Sequence, residues 1–349
     1  MKNKVSLGRQ QATILLDPLL TDDAAIKAAL RDRRSDFLYQ SIHPADEEQY
    51  VADGWELQRM GKTAARIQRR KSGDRKLEDR VWVLLARMGY PVLGGDRFHI
   101  TYMREIGTHG KKQVDVFAKD DETVIVVECK YKDVRGRKSL QKDIHETEAL
   151  QKPFANSIRQ HFGADYKPKI LWFYVTENII WSEPDIERAE GANIKIVSEN
   201  ELQYFESYVS HVGSAGKYQF LAEYLAGQEI PGLANMKIPA TRGYLGADKF
   251  YAFTISARTL LKVAFVNHQA LNHPDSRPAY QRMISKSRLQ AIGTFIQDGG
   301  YFPTNILINF TAECNFDLLG VHKGADGTRF GLLNLPSKYK SAFVIDGQH

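Results

Sequence analysis

Between Val114 and Lys132 the chain reads VDVFAKDDETVIVVECKYK. The apolar run Val124–Val127 has the β-branched make-up of a strand buried on both faces, yet it leads straight into Glu128-Cys129-Lys130. Charges at the end of a buried strand cost free energy unless something pairs with them. If this strand and the preceding VDVFA form a hairpin around Asp121-Glu122, Asp115 stands directly opposite Glu128. Opposed residues share a face, with Cβ atoms about 5 Å apart. Lys130, two residues on, joins that face, while Cys129 points to the opposite layer. A register shift of two residues preserves the grouping and a shift of one destroys it. Two readings follow: a charged edge strand that resists aggregation, or a metal site.

The second reading has definite chemistry. Two adjacent carboxylates repel each other unless a proton or a cation lies between them. A hard divalent ion with oxygen ligands, Mg²⁺ above all or Mn²⁺, is the natural occupant. Such an ion polarises a phosphoryl oxygen and helps ionise a bound water, and a neighbouring lysine orients that water and stabilises developing charge. The set therefore suits phosphodiester hydrolysis. Asp115, Glu128 and Lys130 are the catalytic candidates, and the backbone carbonyl of Cys129 can complete the metal shell. Glu78 is either a third carboxylate or an acid near a helix N-terminus that needs no function.

Around this stretch the pattern is α/β. Residues 1–53 read as helical. Thr21-Asp22-Asp23 can cap a helix running to Arg33, and Pro44 can open a second that ends before Gly54. Residues 55–76 are strongly basic, either a solvated face or linker, or an arm that contacts DNA phosphates through Arg66, Arg69, Arg70 and Lys71. Leu77, Val81, Leu84, Leu85 and Met88 recur at helical spacing before Gly89. FHITYMREI, KQVDVFA and TVIVVECKY are three strands in a row. A helical stretch over 138–162 is expected to break at Pro153. ILWFYVT is a strand, SEPDIERAEGAN a helix, IKIVS a strand and ENELQYFESYV a helix. SHVGSAGKY (210–218) reads as the start of a linker. A second α/β unit follows, with helices around 257–267 and 285–298 and strands around 249–255, 304–310 and 341–345.

Asp115, twelve intervening residues, then Glu128-x-Lys130 resembles the PD-(D/E)xK nuclease superfamily. With the helix LEDRVWVLLARMGY before it and ILWFYVTENII and IKIVSENELQYF after it, the stretch looks like the Mrr-type restriction endonuclease branch. The resemblance implies a mixed sheet flanked by helices. It gives the metal to Asp115 and Glu128, the water to Lys130, and an auxiliary role to Glu78. Val114 stands where proline is often found in this superfamily.

Tyr280-Gln281-Arg282, Arg288, Phe302-Pro303 and the terminal Asp346-Gly347-Gln348-His349 resemble DGQHR-domain proteins, whose fold is similar to the ParB and sulfiredoxin group. That resemblance implies nucleotide binding through Arg282, Arg288, Asp346, Gly347, Gln348 and His349. Each arginine taken alone reads first as surface charge on an amphipathic helix. Gly347, in a turn after a strand, is expected at positive φ. The chain stops before the motif's arginine, at an apolar strand entering a turn, so a fragment of a longer protein is expected. The resulting division is 1–76 helical and basic extension, 77–209 nuclease domain, 210–235 linker and 236–349 a truncated ParB-like domain.

The formal charge of +6 is compatible with DNA as partner without requiring it. Two cysteines far apart exclude a disulfide framework or a zinc cluster and fit a reducing cytoplasm. No apolar run reaches the ~20 residues of a membrane span, and Asp17-Pro18 interrupts the only early apolar patch, which argues against a signal peptide. No P-loop pattern occurs. The expectation is a Mg²⁺-dependent DNA endonuclease of a bacterial DNA-modification or anti-phage system. A homodimer and other defence proteins are the expected partners. The alternatives are a non-catalytic DNA-binding protein on a nuclease scaffold and a nucleotide-binding switch.

Overall fold

The computed structural model describes residues 15–105, 108–266, 285–302, 304–320 and 327–347. They fall into two compact units, Met1–Val83 with Tyr90–Val197, and Leu84–Gly89 with Ser198–His349.

In the first unit the elements are β1 (Leu16–Leu20), α1 (Asp23–Arg33), β2 (Phe37–Ile42), α2 (Glu47–Ala52), β3 (Glu56–Met60), β4 (Ala65–Arg70), α3 (Gly73–Arg87, whose last residues count with the second unit), β5 (Val92–Glu105), β6 (Thr108–Gln113), β7 (Val116–Lys119), β8 (Thr123–Arg137), α4 (Gln141–Phe162), β9 (Lys169–Ile180), α5 (Glu183–Gly191) and β10 (Ile194–Val197). A seven-stranded sheet runs β1-β5-β7-β8-β9-β10, with β6 also on β5. β5, β7 and β8 are antiparallel neighbours, while β8, β9 and β10 are parallel. Parallel pairs need crossovers, and α4 and α5 supply them. Val124, Val126, Trp172 and Tyr174 pack beneath Ile144, Phe154 and Ile158 of α4 in one buried cluster. The α/β expectation, a mixed sheet flanked by helices, holds.

Four local expectations for this unit differ from the structure. KQVDVFA is not one strand: β6 pairs with the far half of β5 and β7 with its near end, and the chain breaks at Val114-Asp115 between them. Pro153 does not divide α4, which is continuous from Gln141 to Phe162. Buried Ile144 on one side of the proline and Phe154 and Ile158 on the other hold both halves to the sheet, which outweighs the lost hydrogen bond. The first 53 residues are not purely helical. Asp22 caps α1 and Pro44 opens a helical turn before α2 as expected, but Leu16–Leu20 joins the large sheet and Phe37–Ile42 pairs with β4. The basic run is no free arm, because it forms β3 and β4 of a three-stranded sheet ordered β2-β4-β3.

The second unit holds α6 (Glu199–Val212), α7 (Gly216–Tyr224), β11 (Lys237–Leu245), β12 (Asp248–Phe253), α8 (Ala257–Val263), β13 (Ala264–Phe265), α9 (Lys286–Gln297), β14 (Leu307–Phe310), β15 (Asn315–Leu318), β16 (Arg329–Asn334) and β17 (Ala342–Asp346). Residues 210–218, read from sequence as linker, lie in α6, a short 3-10 turn and α7, and Phe220, Leu221 and Ala222 are buried. One sheet runs β12-β11-β16-β15 and another β13-β17-β14. Gly347 has the positive φ expected of it, 80°. No helix among the described residues is long and apolar enough to cross a membrane.

Candidate active site

The hairpin β7–β8 fixes the site. Asp120 accepts hydrogen bonds at Oδ1 from the amides of Glu122 (2.9 Å) and Thr123 (2.7 Å) and from the Thr123 hydroxyl (3.0 Å). This Asx-type closure leaves a two-residue turn, Asp121-Glu122. The register that follows pairs Val116 with Val127 and Phe117 with Val126. Extended by one pair, it sets Asp115 against Glu128, the pairing on which the sequence argument depended. Asp115 itself lies in the bend just before β7, and its Oδ2 accepts from the Cys129 amide at 2.7 Å.

Lys130 completes the group. Its Nζ lies 3.3 Å from Glu128 Oε2 and 3.0 Å from Asp143 Oδ1, and 6.0 Å from the centre of the Tyr174 ring. Burial alone would lower the pKa of this ammonium, but Glu128 and Asp143 outweigh it and raise it. Lys130 is therefore a fixed cation at neutral pH and not a general base. The acids respond in the opposite sense. Burial first, then the charge of Asp115, pushes Glu128 up to about 7. The same two causes in the same order push Glu78 up to about 7. Burial raises Asp115 against the opposing bond from Cys129. Glu78 and Glu128 thus each feel the charge of Asp115 in surroundings that burial has desolvated. Burial also raises the Cys129 thiol, so it stays protonated and does not serve as a thiolate ligand.

Glu78 projects from α3, where Arg75 Nη1 lies 3.6 Å from its Oε2. Beyond that ion pair, the charge of Asp115 also acts on it. Among the described residues no three His, Cys, Asp or Glu side chains are drawn together as a ready metal cage. The candidate oxygen donors are the carboxylates of Asp115, in the bend before β7, and of Glu128 on β8, the Cys129 carbonyl, and Glu78 of α3. All are oxygen donors, the ligand type that a hard divalent cation takes, and burial is the first cause of the raised acid pKa values.

Asp143 and Lys112 were not singled out from the sequence. Asp143 stands in the first turn of α4, directly after the strand that carries Lys130, and an acid in a helix first turn was the available signal. Lys112 bonds Glu146 at 2.8 Å and lines a small pocket with Glu128, Thr147, Phe154 and Trp172. Only the β5–β6 register brings it there, and no local pattern announces that register.

The four basic residues expected on DNA do not act together. Arg66 and Arg70 share one face of their sheet. Arg69 lies on the other, its guanidinium 4.8 Å from the centre of the Trp55 ring. Lys71 is 7% exposed and donates to Asp79 Oδ2 (2.6 Å) and to the carbonyls of Asp32 and Arg33, so it is structural and unavailable to a phosphate. Arg288 is exposed on the first turn of α9. Asp346 is exposed at the end of β17, and its Oδ1 accepts from the Gly347 amide at 2.8 Å. Arg282, Gln348 and His349 lie outside the described residues.

Comparison with known proteins adds a context. Residues 238–349 match the family described as DndB, DNA-sulfur modification-associated. This covers the segment likened above to DGQHR-domain proteins and supports a DNA-modification setting. No curated protein matches the chain. Two solved structures share limited likeness. Can2 from Sulfobacillus thermosulfidooxidans, in complex with cyclic tetra-adenylate, is 11% identical with a TM-score of 0.27, over 54% of this chain and 50% of that one. Protein VC1899 from Vibrio cholerae is 13% identical with a TM-score of 0.28, over 55% and 51%. The chain thus spans about half the length of each, and likeness at this level carries no functional argument.

Proposed function

We propose that the first unit is a divalent-metal-dependent DNA endonuclease acting in a DNA-modification or defence system. One observation carries the reading: the two-residue turn at Asp121-Glu122 closes in the register that opposes Asp115 to Glu128 and brings Lys130 onto Glu128. Asp115, Glu128 and the Cys129 carbonyl would hold Mg²⁺ or Mn²⁺, with Glu78 beside them. When bound, the ion supplies Lewis-acid polarisation of a phosphoryl oxygen and a more acidic water. Lys130, kept cationic, orients the attacking water and stabilises the charge that gathers on the phosphorane oxygens. Asp143 positions Lys130 from the start of α4, so that the ammonium is held between two acids instead of collapsing onto one. Water oxygen bonds to phosphorus as one P–O ester bond breaks, leaving a phosphate monoester and a hydroxyl.

The test is a cleavage assay with Mg²⁺ or Mn²⁺ on phosphorothioate-modified and unmodified plasmid. Asp115→Ala and Lys130→Ala should each lower nicking by about 100-fold or more, on the scale seen when a single charge-stabilising donor is removed, with unchanged circular dichroism. Equal cleavage by wild type and both variants would sink the assignment.

A non-catalytic scaffold is the second reading, favoured by the absence of a ready three-side-chain cage among the described residues. It wins if no divalent ion binds and no DNA is cut on either substrate. A nucleotide site in the second unit, through Arg288 and the Asp346-Gly347 turn, remains a proposal from resemblance. Nucleotide binding lost in Arg288→Ala tests it.

A further inference from the structure

The three-stranded sheet β2-β4-β3 has a face that the nuclease reading leaves unused. Its register sets Ser41 and Arg59 opposite Arg66, Tyr39 and Glu56 opposite Gln68, and Phe37 opposite Arg70. Opposed residues share a face, so Arg59, Arg66, Arg70, Phe37 and Tyr39 lie together. Arg59, Arg66, Arg70 and Tyr39 are exposed. The other face buries Ile42, Ala65 and Ile67 with Tyr50 and Trp55 packed against them, so the sheet is anchored from behind.

Arg59 directly opposite Arg66 is a like-charge cross-strand pair, which destabilises a sheet unless an anion lies between. Among the described residues no carboxylate forms an ion pair with Arg59, Arg66 or Arg70. Glu56, the acid that these three strands carry, is engaged by the Gln68 amide at 3.1 Å. The Arg66 guanidinium lies 4.8 Å from the centre of the Tyr39 ring. Beside that ring, Arg66 stays exposed, and its planar fork of donors suits a phosphate. Arg66 and Arg70 are four residues apart on one strand, about 13 Å along it. A row of cations along one face fits a polymer of phosphates and not a single one. Arg66 occupies one face of the Tyr39 ring while the residue stays 42% exposed; the surface thus offers a row of cations and not a row of stacking rings, which favours the backbone of a duplex over a single strand.

We propose that this face, through Arg59, Arg66 and Arg70, docks the phosphodiester backbone of duplex DNA without reading its sequence. The choice of DNA as the polyanion rests on the DNA-modification context above, while the docking does not depend on cleavage. Binding is therefore measured in EDTA, where no cutting occurs, with the full chain and a labelled duplex of mixed sequence across a salt series. Loss of cleavage with binding intact overturns only the nuclease reading.

Arg59→Gln/Arg66→Gln should weaken binding by at least 10-fold at low salt. It should also lower the slope of log K against log salt by roughly 2, close to 0.9 for each phosphate left without its arginine. A charge-matched control on α4 and the loop after it, Lys152→Gln/Lys167→Gln, should change affinity by less than about 2-fold on the same electrostatic reasoning. Because the substitution removes a repulsion, the double variant should melt at or above the wild-type temperature. Equal weakening by the control, an unchanged salt slope or a lower melting temperature each overturns the proposal. Displacement of the duplex by RNA at lower concentration than by DNA overturns the choice of partner.

Discussion

Glu128 is a carboxylate that burial and Asp115 hold at about 7, which ties the site to stability as well as to chemistry. Its folded value lies above the ordinary 4.5, so folding favours the protonated form. That contribution is fully present below about pH 4.5 and is lost as pH rises through about 7. A shift of this size corresponds to about 3 kcal/mol at most, and Asp115 and Glu128 titrate as a pair. In EDTA the melting temperature should fall between pH 5 and pH 8. Glu128→Gln, which keeps the shape and removes the charge, should flatten that fall and be the more stable protein at pH 8. Thermal melts across this range check it; an unaltered slope in the variant shows that the carboxylates are not under mutual strain. Lys71 shows the opposite use of charge. It, Arg33 and Arg75 surround the buried carboxylate of Asp79, at 2.6, 2.6 and 3.5 Å, and this network ties β4 and α1 to α3.

At the scale of elements, α4 forms the wall over the site, carrying Asp143 in its first turn and burying Phe154 against Tyr102 and Trp172. Pro153 within it forgoes a hydrogen bond to the carbonyl of Ala149. Pro153→Ala restores that bond and removes the ring clash, a gain of up to about 3 kcal/mol. The variant's freer unfolded chain takes back roughly 0.4–1 kcal/mol. The expected net is stabilisation by about 1–2 kcal/mol, read as a higher urea midpoint at constant m-value; a lower midpoint means the helix is built around the proline.

The same elements show what a sequence can reveal. α3 was legible because Leu77, Val81, Leu84, Leu85 and Met88 keep helical period, and all are buried. The Asp115–Glu128 pairing was legible because a short polar turn between apolar runs permits few registers. The β6–β7 break was not, since KQVDVFA alternates smoothly through Asp115 and only pairing with two parts of β5 divides it. Lys71 looked like its neighbours Arg69 and Arg70, because its partner, Asp79, lies eight residues away on the next helix. The Arg59–Arg66 opposition was hidden for the same reason, being a product of strand pairing and not of local spacing.

For the whole molecule, the relevant fact is that the two units hold separate apolar clusters. One gathers Val126, Phe154, Ile158 and Trp172, and another Ile238, Ala240, Leu333 and Leu335. Units with cores of their own unfold as separate cooperative transitions. Calorimetry should therefore resolve two heat-absorption peaks. Ile158→Ala and Leu333→Ala each remove a side chain that is 0% exposed, at a cost of about 2–5 kcal/mol. Each should lower one peak by several degrees and leave the other in place. The pH dependence set by Glu128 should follow the peak that Ile158→Ala moves, because Glu128 and Ile158 belong to the same unit. A single peak shifted by both substitutions would mean that the chain unfolds as one cooperative body, and Glu128 would then act on the stability of the whole.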